Sequence, residues 1–275
     1  MDANTGELLY AKRETKKREI ASLTKMMTLY CVCKLLKKYN VDPKDTYVQV
    51  SKLASTMIGT SAKLKYGDVL TIWDLMHGLM LPSGNDAAFT LAESFGTYIY
   101  LQSPEYKLKV KENPEYANVK VKNPVKYFLD LMNQTAEELD LTHTYYANPH
   151  GLVNQNSHST AADQAKLAYQ CMKIDMIREI VSKKTYTCEI EQIDQSIRVA
   201  VWENTNKLLG KEGWSGVKTG ITSAAGPCFA GHYKKGDDAY IVVLLCSSSM
   251  DIRWIECPRL VNWIIENRKK YKLYC

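Results

Sequence analysis

The chain has 275 residues, enough for one large domain whose core needs no disulfide staples. Apolar residues make up 45% and charged residues 24%, which excludes disordered and fibrous classes. The net charge of +6, from 36 basic and 30 acidic residues, is spread along the chain without a basic stripe, so nucleic acid is not an expected partner. No apolar run reaches the roughly 18–20 residues of a membrane-spanning helix.

Residues 1–11 read as a strand interrupted by a turn at Asn4-Thr5-Gly6. Over 22–39, Leu23, Met26, Met27, Tyr30, Cys33 and Leu36 follow helical spacing, and Leu29 and Val32 widen the stripe into a largely buried helix. A second helix over 72–81 carries Ile72, Leu75, Met76, Leu79 and Met80 on one face. Pro82 stops it, Ser83-Gly84-Asn85 forms a loop, and Asp86 is the expected cap of a third helix reaching Phe95. Residues 101–126 are rich in Lys, Glu, Asn, Tyr and Pro with little period, and predict an exposed loop. Helical pattern returns over 125–139 and 160–172. Short β-rich runs follow over 185–201, 216–221, 228–233 and 240–246, with a hairpin turn at 234–238, and a closing helix spans about 257–270.

Strands near both ends with helices between predict an α+β fold, in which an antiparallel sheet built from N- and C-terminal segments is flanked by helices and joined to a helical lobe. The expected organisation is a single discontinuous domain. Its sheet lobe takes about 1–50 and 186–275, and its helical lobe about 51–185, with an insertion at about 101–126. Cysteines 31, 33, 171, 188, 228, 246, 257 and 275 contain no C-x-x-C pair and no companion His cluster. They read as scattered reduced thiols rather than metal ligands.

Three short motifs carry chemistry. In Ser22-Leu23-Thr24-Lys25 a hydroxyl and an amine three residues apart share one helical face. Serine becomes a nucleophile when a neighbouring base takes its proton, and lysine is such a base once its pKa is lowered. A second S-x-x-K at Ser215–Lys218 shows how readily chance supplies this spacing, and alone it reads as a helix cap beside a solvated lysine. Ser83-Gly84-Asn85 delivers a hydroxyl and an amide from a loop between helices. Lys218-Thr219-Gly220 places a cation and a hydroxyl on a strand that a glycine opens to a close peptide backbone, although a lysine-protected edge strand has the same appearance.

The three motifs in this order and setting resemble the signature of the penicillin-binding and serine β-lactamase superfamily. Met1–Tyr10, Ile20–Thr28, Leu81–Ala88, Asn148–Leu152, His158–Ala161, Asn204–Leu209 and Gly216–Gly220 are similar to the low-molecular-weight D-alanyl-D-alanine carboxypeptidases. The resemblance covers nearly everything outside 101–126.

This resemblance implies roles. Ser22 would attack the penultimate D-alanine carbonyl with Lys25 as base, and Ser83 would relay a proton to the leaving amine. Asn85 would orient Lys25 and bond the substrate amide. Lys218 and Thr219, on the strand that Gly220 opens and with help from Arg253, would bind the terminal carboxylate. Backbone N–H groups of Ser22 and Ile221 would form the oxyanion hole. No cofactor or metal is implied. The expected ligands are peptides ending in D-Ala-D-Ala or an analogue, with β-lactams as covalent inhibitors. His150 and His158 are read as structural, because Lys25 supplies the base. The residues after K-T-G depart from the family pattern, but only the Ile221 backbone is required. The chain carries no recognisable secretory signal or membrane anchor, and its thiols lean towards an intracellular homologue. Two rivals follow: a β-lactamase, disfavoured because no added deacylation base is marked, and a carboxypeptidase-fold scaffold contacting protein partners through 101–126.

Overall fold

The computed structural model describes residues 1–272, with side chains as far as Asn267. Cys275 and residues 273 and 274 lie outside it. A 3-10 turn at Ala21–Leu23 leads into α1 (Thr24–Tyr39). The apolar stripe wraps so far round α1 that most of the helix is buried, including Met26, Met27, Leu29, Val32 and Leu36. Asn40, left-handed at φ 51°, closes it by donating to Leu36 and Lys37 carbonyls. Next come β1 (Tyr47–Gln49), α2 (Lys52–Ser55) and β2 (Val69–Thr71). A capping box between Thr71 and Asp74 then starts α3 (Ile72–Met80).

The Ser83-Gly84-Asn85 loop turns the chain into α4 (Asn85–Gln102). The polar segment that follows is not the irregular loop its composition suggested. It forms α5 (Pro104–Glu112) and a 3-10 turn at Pro114–Asn118, each started by a side-chain cap, Ser103 and Asn113. Both elements stay outside the core, with no buried residue in either. The helices α6 (Pro124–Glu138), α7 (Ala161–Cys171) and α8 (Asp175–Ser182) complete the central part.

The strands divide between two antiparallel sheets. β3 (Thr185–Glu191) and β4 (Ile197–Glu203) form a hairpin that joins β1 and β2 in the order β1-β2-β3-β4. β5 (Trp214–Gly220), β6 (Cys228–Lys235) and β7 (Asp238–Leu244) form the other sheet. The N-terminus adds to β7 through a bridge between Asp2 and Tyr240, flanked by backbone bonds from Ala3 to Ala239 and between Met1 and Ile241. Residues 7–11 form no strand. α9 (Ile252–Lys272) covers β6 and β7, burying Cys257, Val261 and Ile264 against Phe229 and Tyr240. The larger core surrounds α1 and joins α3, α4, α6, α7 and α8 to the inner face of β5. No helix among the described residues is long and apolar enough to cross a membrane.

Candidate active site

Ser22 lies in the 3-10 turn before α1, and no side-chain cap bond is made at either junction. The two cap positions fall on Ile20 and Leu23, so Ser22 is not the helix cap that the alternative required. Its hydroxyl meets Lys25 Nζ at 2.9 Å. The turn is held by Gly151, which adopts φ +87° and leaves no room for a side chain: a Cβ there would sit 1.9 Å from the Ala21 carbonyl oxygen.

Lys25 is fully buried. Besides Ser22 Oγ, its nitrogen faces two oxygens that can only accept, Asn85 Oδ1 at 2.6 Å and the His150 carbonyl at 2.7 Å. Burial pushes its pKa well below the usual lysine value, and the Lys218 ammonium pushes it further, against an opposing pull from Asp86. A neutral amine in this setting gives its two N–H groups to the two carbonyl-type oxygens. Its lone pair is left for the one neighbour with a proton to surrender, Ser22.

Asn85 is fixed from both ends, because its Nδ2 donates to the Ile58 carbonyl at 2.7 Å. Ser83 is left-handed at φ 65°, and its backbone carbonyl accepts from Thr60 Oγ1 at 2.6 Å. Its buried Oγ has no hydrogen-bond partner among the described residues. Asp86 is not the expected cap, since Gly84 takes that position. Its carboxylate instead accepts from Ala62 N, Leu64 N, Ala87 N and Ser61 Oγ, pinning the 61–64 loop beside the site.

β5 brings the third motif alongside. Lys218 is buried and its pKa is pushed down to about 7, by burial first and Arg253 second. Thr219 Oγ1 meets Thr205 Oγ1 at 2.6 Å, and Asn206 Nδ2 donates to the Gly216 carbonyl, so the 204–209 loop braces the strand. A Cβ on Gly220 would lie 3.0 Å from Ser22 N, which puts the end of β5 against the backbone of Ser22. Arg253 is buried behind the strand. Its Nη1 donates to the carbonyls of Gly220 (3.2 Å) and Cys228 (2.9 Å), its Nε to that of Met250 and its Nη2 to Met250 Sδ. These bonds take four of its five N–H groups, so Arg253 meets a carboxylate only through the second N–H of Nη2, and otherwise acts through its charge and its hold on the strand.

The second S-x-x-K makes no Ser–Lys pair: Lys218 Nζ donates to the Thr219 carbonyl at 3.2 Å. Ser215 Oγ meets His232 Nδ1 instead, at 2.8 Å. His150 is no general base: its Nδ1 accepts from Leu152 N, and burial with nearby Lys25 holds its pKa at about 3. What sequence reasoning missed is the carbonyl of the same residue. The Asn-Pro-His-Gly run was the available signal, read only as a structural loop.

The chain as a whole is similar to known proteins. A family model described as D-alanyl-D-alanine carboxypeptidase, peptidase S11, matches residues 1–97 and 120–249. The chain belongs to that family. The D-alanyl-D-alanine carboxypeptidase of Streptomyces sp. (strain K15) is 32% identical over 269 residues, covering 96% of this chain and 84% of its own length. DacF of Bacillus subtilis (strain 168), also a D-alanyl-D-alanine carboxypeptidase, is 28% identical and covers 100% of this chain, which spans 63% of it. The crystal structure of the Streptomyces K15 DD-transpeptidase superposes with a TM-score of 0.84 at 31% identity, covering 97% of this chain and 95% of that one. The DacD carboxypeptidase of Francisella tularensis superposes at 0.78 and 26% identity, over 96% of this chain and 68% of that one. The fold is that of the penicillin-binding, β-lactamase-type peptidases, and this family of carboxypeptidases is one of serine hydrolases. Residues 98–119, which the family model leaves unmatched, fall mostly in the exposed excursion of α5 and its 3-10 turn.

Proposed function

We propose that the protein is a serine-type carboxypeptidase acting on peptides that end in D-Ala-D-Ala. Lys25 takes the proton of Ser22 Oγ as that oxygen attacks the penultimate carbonyl carbon. The negative charge on the carbonyl oxygen is held by the N–H groups of Ser22 and Ile221, donors of a kind typically worth about 3–4 kcal/mol each. Collapse breaks the C–N bond, and the proton held by Lys25 passes through Ser83 to the departing D-alanine amine, which leaves Lys25 neutral again. Water, deprotonated by Lys25, then attacks the acyl-serine ester and frees the shortened peptide. Lys218 and Thr219 receive the terminal carboxylate, and Asn85 holds both Lys25 and the substrate amide.

The observation that carries this reading is the nitrogen of Lys25, buried between two obligate acceptors and 2.9 Å from Ser22 Oγ. β-Lactams, which present a strained amide beside a carboxylate, fit the same groups as acylating inhibitors. The chain works as one discontinuous domain, with the excursion at about 101–126 serving as a contact surface for a protein partner. Likeness to a DD-transpeptidase also favours a second fate for the acyl-enzyme, capture by an amine in place of water. The test is release of D-alanine from a diacetyl-L-lysyl-D-Ala-D-Ala peptide, with an amino-acid acceptor added in a parallel reaction. Release that requires Ser22 supports the proposal, and no release by folded, β-lactam-reactive protein refutes the substrate.

A further inference from the structure

The base of this site is aimed by a loop that contributes no side chain to the chemistry. Asn148 spends its amide on the three residues 150–152: Oδ1 accepts from Gly151 N at 2.6 Å and His150 N at 3.3 Å, and Nδ2 donates to the Leu152 carbonyl at 3.0 Å. Two anchors press the loop onto the nucleophile's element. Gly151 lies flush against the Ala21 carbonyl, and Thr28 Oγ1, one turn beyond Lys25 on α1, donates to the Pro149 carbonyl at 2.6 Å. The outcome of these bonds is the direction of one carbonyl, that of His150, onto Lys25 Nζ.

We infer that Asn148 is a positioning residue: by fixing the His150 carbonyl it sets, together with Asn85, the direction of the Lys25 lone pair towards Ser22. The inference rests on the reading of Ser22 and Lys25 as nucleophile and base. It follows from counting donors. A neutral lysine has two N–H groups; if either acceptor swings away, the amine is free to rotate, and its lone pair no longer points at Ser22 for most of the time. The carbonyl also favours the ammonium over the amine, because a hydrogen bond to a charged donor is the stronger. The charged and titratable groups facing Lys25 are Lys218 from β5, Asp86 from α4 and the imidazole of His150. The imidazole is neutral at working pH, and the other two stay in place when Asn148 is changed.

The test is the pH profile of acylation by a fluorescent penicillin, measured on the full chain after titrating the competent fraction. Asn148→Ala releases the carbonyl, so the plateau rate falls about tenfold and the acid limb moves to lower pH by about half a unit to one unit. Asn148→Asp keeps an acceptor for the two amides but adds an anion on this loop, so its limb moves to higher pH. Thr28→Val, which cuts the second anchor, moves the limb in the direction of Asn148→Ala, and Thr28→Ser restores it; this pair decides the matter if Asn148→Ala does not fold. A purely structural role lowers the competent fraction and leaves every limb where it was. That result, or a shift of the Ala and Asp variants in one direction, overturns the inference. A wild-type chain that takes no label at all overturns the nucleophile–base reading beneath it, and this inference with it.

Discussion

Adding one methyl group at Gly220 separates catalytic geometry from stability. A Cβ there would lie 3.0 Å from both the Ile20 carbonyl oxygen and Ser22 N, and 3.1 Å from Leu23 Cδ1. Ordinary van der Waals contact begins near 3.4 Å, and the first two neighbours are backbone atoms that cannot swing aside. In Gly220→Ala, β5 must retreat from the Ala21–Leu23 turn by a few tenths of an ångström. Overpacking of this kind costs about 1–3 kcal/mol, roughly 2–4 °C in Tm per kcal/mol for a chain of this size. The retreat also parts the two N–H groups of Ser22 and Ile221. Loss of a whole oxyanion donor costs about 10²–10³ in rate, so a partial displacement is expected to slow acylation by about ten- to a hundredfold.

The assay is the second-order rate constant for a fluorescent penicillin, with thermal melts on the same samples. Gly231→Ala is the control: on the neighbouring strand its Cβ would meet the rings of Phe229 (2.5 Å) and Trp214 (2.9 Å), away from Ser22. It should lower Tm with little effect on acylation. Wild-type acylation by a destabilised Gly220→Ala would mean that the end of β5 is not the wall of the oxyanion site.

Acylation should rise with pH as Lys25 loses its proton, because burial and Lys218 lower its pKa but do not remove the titration. Lys25→Arg should lose at least about 10³-fold, since guanidinium stays protonated, and a flat profile with an active Arg variant refutes the base. For a peptide substrate, kcat/KM should fall on the basic side near pH 7 as Lys218, with its pKa about 7, gives up the charge that receives the carboxylate. Arg253→Leu removes a cation that depresses Lys218, so that limb should move to higher pH; an unmoved limb refutes the assignment. Replacing residues 104–120 by a short Gly-Ser linker should leave β-lactam acylation within a few-fold, because no residue of α5 or the 3-10 turn belongs to the buried core, while abolishing capture of a protein partner. Loss of acylation in a folded variant would place the segment at the cleft.

Legibility in the sequence followed the range of the interactions. The stripe of Leu23, Met26, Met27 and Leu36 marks α1 because helical packing repeats every few residues, and the three motifs stand out because each is local. The excursion of α5 was read as a loop because it lacks an apolar face; caps from Ser103 and Asn113, not core burial, hold its turns. The eight-residue α8 went unread although Ile177, Ile180 and Val181 mark its buried face. Asp86 reads as the nearest local device, a helix cap, whereas three of its four partners lie 22–25 residues earlier in the 61–64 loop. The His150 carbonyl, 125 residues from Lys25, leaves no trace in residue type at all, since any residue supplies a carbonyl. Only Asn148 and Gly151, which shape the loop around it, carry a sequence signal.

The most direct measurement is the intact mass and peptide map of the chain after incubation with a fluorescent penicillin. One adduct per chain is predicted, on the peptide containing Ser22, absent from Ser22→Ala and kept by Ser215→Ala. An adduct on Ser215, or none on folded protein at high drug concentration, would contradict the assignment of Ser22 as nucleophile.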